Sequence, residues 1–297
     1  MKKGFWRRVG WMGMAILPLL ASLVLQIIIA IVIYLAAIVY AIAFQGGFDM
    51  ADPWLFQQQT MDLMLSRGVN VSILVIYHLL GVVVFGIWYY FGCGRPNPQK
   101  PGKVFLGKAL PVTILIGLFM DISASAFLLS AEYIFPDLIR QYEELMEAAG
   151  LGTDPLVILA SILLAPVGEE LLCRGVIFHY AKKAVEGMKN QKAAFWIANT
   201  TQALMFGILH GNLVQGFYAF CIGLCLGWLR WRYNSLYPSM LAHFIVNFSS
   251  TFLLGYLFYF IPETLAVYLA VMIVGIVGIV LVMLWDKKNE QAHSASS

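Results

Sequence analysis

Three short patterns in the second half of the chain set acids, bases and amides at helical spacing. They are Glu169-Glu170-x-x-x-Arg174, Phe206-x-x-x-His210 and His243-x-x-x-Asn247. Residues four apart share a helix face, so Glu170 and Arg174 can pair, which keeps Glu170 ionised. Glu169 is turned about 100° away and lacks that partner, which leaves it as a candidate general base. A purely structural ion network is the competing reading of these three charges, and it gives Glu169 no task. Asn199, Gln202 or Ala203, Phe206 and His210 fall near one stripe of the next helix, so their polar groups face inward together. A histidine in that position is also compatible with an interfacial or core role. His243 and Asn247 share a face, and both can donate hydrogen bonds without a permanent charge, as stabilisation of an oxyanion requires. The alternative for this pair is a plain helix–helix hydrogen bond. Taken together, the three patterns hold what is needed to activate water and attack a carbonyl.

The elements that must position these groups are membrane helices. Of 297 residues, 61% are hydrophobic and 12% charged, against about 25% charged in a soluble domain. A net charge of +3 from 19 basic and 16 acidic residues is too balanced for the basic face of a nucleic-acid binder. The four cysteines form neither a disulfide framework nor a paired zinc motif. A span needs about 20 apolar residues, and the chain offers about eight such stretches: Met12–Phe44, Val69–Phe91, Ala109–Phe135, Asp154–Tyr180, Ala193–His210, Leu213–Trp231, Pro238–Phe260 and Thr264–Trp285. The expected fold is an all-α polytopic bundle.

With eight spans, sixteen of the nineteen basic residues fall on one side, which predicts that both termini are cytoplasmic. Residues 1–153 are read as three spans plus an amphipathic helix near 137–149, on the outer side. Residues 154–260 carry the motifs, and 261–297 hold the last span and a disordered tail. Gly92–Gly102, rich in Gly and Pro, is read as a cytoplasmic turn. Ionisable groups inside spans are costly. The three charges of the fourth span cost on the order of 8 kcal/mol, while its apolar neighbours return roughly 6. That charged face must therefore look at other helices or at water, at mid-depth or toward the cytoplasmic side.

The three motifs, in this order on such a chain, resemble the CAAX protease and bacteriocin-processing (Abi-type) family, which includes the Ras-converting prenyl-protein endopeptidase. The resemblance covers about residues 154–260. It implies an intramembrane endopeptidase in which Glu169 and His210 activate water, His243 and Asn247 hold the oxyanion, and Glu170 and Arg174 support them. It implies a peptide or lipidated protein substrate, with membrane lipids as surroundings and no nucleic-acid partner. Members are often labelled metalloproteases, and a zinc held by Glu169, His210 and His243 is chemically acceptable. The zincin H-E-x-x-H is missing, however, and the reading favours catalysis without a metal cofactor. A non-proteolytic immunity or scaffold protein of the same fold is the alternative function. A proton-coupled transporter using Glu169 and Asp121 would be expected to show duplicated halves, which the sequence lacks. Asp121 is left unassigned, His78 is read as a satisfied core histidine, His179 as interfacial, and Cys221 and Cys225 as packing residues.

Overall fold

The structure, a computed structural model of the chain, describes residues 2–45, 48–49, 51–93, 104–105 and 107–295. Most of the Gly/Pro-rich connection, including Arg95, Lys100 and Lys103, lies outside the described residues. The protein is 88% helical, with no strand among the described residues. Helix α1 spans Lys2–Tyr40 and runs on into a π turn at Ala41–Gln45; α2 is Pro53–Leu65, α3 Arg67–Gly92 and α4 Ala109–Ile134. Helix α5, Pro136–Ala148, lies in the stretch read as amphipathic and buries Ile139 against Val214. The rod α6, Pro155–Val185, is interrupted by π turns at Ala160–Leu164 and Leu171–Ile177. Then follow α7 Gln191–Leu209, α8 Leu213–Arg232, α9 Leu236–Phe252, the short α10 Leu254–Tyr259 and α11 Leu265–Ala295.

Rod α6 is the axis of the bundle. Asp154 caps its start by accepting from the amides of Leu156 and Val157, satisfying donors that a helix N-terminus leaves free. Its end is marked by Glu186 and by Gly187 at φ +78°. Helices α1, α3, α7, α8 and α9 all pack on it. Half of its most apolar stretch is buried inside the protein, against 11% for α1. Helices α4 and α11 pack along each other on one flank, and α4 also lies against α9. The outer helices expose apolar side chains such as Leu35 and Val274 at 58% and 62%, which suits acyl chains as their solvent.

Among the described residues six helices are long and apolar enough to cross a membrane, which makes a multi-pass membrane protein. That is two fewer than the eight stretches read from sequence. The two that fall short, α7 and α9, are the ones leading to His210 and carrying His243. Helix α7 spends apolar positions on Asn199 and Gln202, which bond to its neighbour. Helix α9 has 17 residues, about 26 Å at 1.5 Å per residue, and the stretch read as one span breaks at Leu253 into α9 and α10.

The contact between α7 and α8 shows how polar groups serve as packing here. The Nδ2 of Asn199 donates to the carbonyl of Leu224 at 3.0 Å, and the Nε2 of Gln202 donates to Gly223 at 2.9 Å and to Asn199 at 2.7 Å. The amides reach the α8 backbone because Gly227 leaves room: a Cβ there would collide with Asn199 Oδ1 and Gln202 Nε2. We expect Gly227→Ala to destabilise the protein by about 1–3 kcal/mol, as overpacking does. The check is a lowered Tm in detergent, and an unchanged Tm would contradict this account of the contact.

Candidate active site

Rod α6 delivers the acids. Pro166 has no N–H to give to the preceding turn, and the π turn ends just before it, at Leu164. One α-helical turn then presents Glu169 and Glu170, and a second π turn begins at Leu171. Such π turns inside helices recur at functional sites. The pairing expected from the four-residue spacing is present: Arg174 Nη1 lies 2.9 Å from Glu170 Oε1, with both side chains at 0% exposure. The guanidinium also stands 4.3 Å from the ring centre of Phe206, a cation–π contact with a residue of the second motif.

The histidine of α9 bridges the two acids. His243 Nδ1 lies 3.1 Å from Glu170 Oε1, and its Nε2 lies 3.7 Å from Glu169 Oε2. The residue is buried, at 4% exposure. An ionised Glu170 can only accept, so Nδ1 carries the hydrogen, and in the neutral ring Nε2 turns its lone pair toward Glu169. This placement was not legible in the spacing, which left Glu170 with Arg174 alone.

His210 caps the end of α7. Its Nδ1 lies 2.8 Å from the carbonyl of Phe206, an acceptor, so Nδ1 is again the protonated nitrogen and Nε2 is left with its lone pair. Gly211 at φ +69° turns the chain, and Asn212 holds the corner by donating to the carbonyl of His210 and accepting from the amide of Gln215. Phe206 stands edge-on to both imidazoles, with ring centres 4.8 Å from His210 and 5.6 Å from His243. Glu169, His210 and His243 are near enough to act on one another electrostatically. The fourth expected residue, Asn247, is differently engaged: its Nδ2 donates to the carbonyl of Ser161 at 2.8 Å, in the first π turn of α6. One amide hydrogen therefore locks α9 to α6, and the other remains.

Two residues outside the motifs also bear on the site. His78, read from sequence as a core histidine, lines with Tyr77, Gly81, Phe85, Gly168, Leu172 and Glu169 a cavity of about 10 Å³, the size that holds a single water. Glu169, His210 and His243 all act on His78 electrostatically. Nothing in the sequence marked it, because its partner lies 91 positions away on another helix. Asp121 accepts hydrogen bonds from Ser249 and, at 3.5 Å, from Ser125. It thereby ties α4 to α9 as a buried acid with local hydroxyl partners. Among the described residues no group of three or more His, Cys, Asp or Glu side chains stands ready to hold a metal ion.

Known proteins resemble this chain over the segment that carries the site. The site sits in a multi-pass helical membrane protein, and its relatives suggest a peptidase. Residues 152–249 match the family described as type II CAAX prenyl endopeptidase Rce1-like. A Bacillus subtilis (strain 168) protein named "Putative membrane peptidase YdiL" is 24% identical over 134 residues, 45% of this chain and 52% of that protein. The chain thus aligns with about half the length of this curated relative. No solved structure matches. These findings support the resemblance carried by the three motifs, over residues 152–249.

Proposed function

We propose that the protein is an intramembrane endopeptidase that hydrolyses peptide bonds of membrane-associated or lipidated substrates, with both termini on the cytoplasmic side. The observation that carries this reading is the His243 ring held between two acids, with Nδ1 on the Arg174-paired Glu170 and Nε2 facing Glu169. Such an arrangement fixes the imidazole and aims one nitrogen at a base.

In this reaction Glu169 and the lone pair of His210 Nε2 hold the attacking water, and Glu169 takes its proton as the oxygen adds to the scissile carbonyl. The proton passes to His243 Nε2, which then bears N–H groups at both nitrogens. Its Nδ1–H remains on Glu170, whose charge Arg174 balances. The oxyanion receives the Nε2–H of His243 and the remaining amide hydrogen of Asn247, and donors of this kind are typically worth about 100- to 1,000-fold each. Collapse of the intermediate breaks the C–N bond, and His243 Nε2 gives its proton to the leaving amine. His78 borders the water-sized cavity and steadies the water side of Glu169.

The test is turnover by the purified protein in lipid nanodiscs, with quenched-fluorescent peptides that include prenylated ones. We expect cleavage by the wild type and a fall of about 100-fold in His210→Ala, the order that misplacing the attacking water costs. His78→Ala should show a smaller fall than His210→Ala. Saturable binding of every cleavage-competent peptide without turnover would replace this reading with that of a peptide-binding immunity or scaffold protein.

A further inference from the structure

A second cavity, of about 510 Å³, opens at the far ends of α6 and α8. Arg174, His179, Lys182, Lys183 and Arg230 line it, and Glu186 is the one acid among its described lining residues. Among the described residues the one ion pair these cations form is Glu170–Arg174. Lys183 Nζ stands 4.5 Å from the ring centre of Trp11, Lys182 Nζ stands 5.8 Å from that of Phe178, and Arg230 Nη1 donates at 3.3 Å to the neutral amide of Asn234. Lys182, Lys183 and Arg230 are all close enough to His179 to act on it electrostatically. Buried nitrogens are left without hydrogen-bond partners on the same wall: Nε and Nη2 of Arg174, Nε2 of His179 and Nε of Arg230. Arg174 itself is 0% exposed.

Unpartnered buried donors are costly, and like charges drawn together repel. An anion in the cavity relieves both costs. Guanidinium groups favour anions that accept two parallel hydrogen bonds, and several cations around one space favour an anion with more than one charge. We propose that this cavity binds a phosphoryl group, presented by the headgroup of an anionic phospholipid or as free phosphate. Basic pockets between membrane helices are known hosts for such headgroups, and the cavity volume accommodates the group with part of its bearer. The proposal stands apart from the endopeptidase reading, since only Arg174 belongs to both sites.

The experiment is thermal unfolding of the full-length protein in a neutral maltoside detergent. One arm titrates inorganic phosphate against chloride at matched ionic strength, and the other titrates phosphatidylglycerol against phosphatidylcholine. A saturable rise in Tm with phosphate identifies the free anion as sufficient, and a rise with phosphatidylglycerol alone identifies the headgroup. In the responding arm, K182Q/R230Q should weaken the apparent affinity by about tenfold or more, as loss of hydrogen bonds to a charged group does. Glu186→Gln, which removes the opposing acid, should tighten it. If the double variant does not fold, K182Q and R230Q are measured singly beside Glu186→Gln. No saturable rise in either arm, wild-type affinity in the lysine and arginine variants, or weaker binding by Glu186→Gln overturns the proposal.

Discussion

Replacement of Glu169 by glutamine is expected to lower peptide turnover by about 100- to 10,000-fold, the contribution of a positioned general base, with little change in Tm. Both halves of this expectation come from the geometry. The carboxylate keeps 14% exposure, borders the small cavity and stands 3.7 Å from His243, too far for a hydrogen bond. It therefore carries little of the fold's cohesion, and an amide of equal size can occupy its place. The same amide cannot accept a proton from water. Turnover by Glu169→Gln at the wild-type rate would show that the water is activated elsewhere and would end the mechanism proposed here. A large drop in Tm would instead reveal Glu169 as part of the structural ion network considered for these charges.

The second large effect concerns the pair behind it. Arg174→Met leaves Glu170 charged and uncompensated at 0% exposure, and breaking a buried pair in this way typically costs about 3–5 kcal/mol. That is a large share of the roughly 5–15 kcal/mol that stabilises a typical protein, so Arg174→Met is expected to unfold or lose yield near physiological temperature. The double variant Glu170→Gln/Arg174→Met removes both charges and should recover much of the lost stability, because the pair is coupled. It should not recover turnover, since His243 Nδ1 then loses the anion that fixes its tautomer. The four proteins of the cycle, compared by Tm and by cleavage rate, separate these effects. Simple additivity of the two stability changes would show that the pair contributes no coupling.

Residues four apart on one helix were readable without coordinates, because 3.6 residues per turn brings them to one face. The Glu170–Arg174 pair and the shared face of His243 and Asn247 follow from that rule alone. The helical class and most element boundaries follow from runs of apolar residues, as at Ala109–Ile134 and Leu213–Arg232. What joins different rods was not readable. His243 contacts both acids, Asn247 is tied to Ser161, and His78 reaches the cavity of Glu169, each through packing between segments 73–91 or so positions apart. The count of eight stretches differs from the six described helices that meet the length and hydropathy of a span, because α7 gives positions to Asn199 and Gln202 and α9 is only 17 residues long. The Glu170 anchor on His243 is the clearest omission. Its only trace in the sequence was a second acid beside Glu169, which the pairing with Arg174 already explained.

The two widened turns of α6 make its length as consequential as its composition. A π turn accommodates one surplus residue in a helix that otherwise keeps its course. Deleting one residue between Leu171 and Ile177 would let the rod close into an ordinary helix with both halves facing as they do now, whereas the same deletion in the regular turn that precedes Glu169 would swing one half by about 100°. In that second case the acids would address a different neighbour while every side chain remained present. Along this rod the widened turns are therefore where loss of a single codon leaves the facing of the motifs intact, and the regular turns are where it does not.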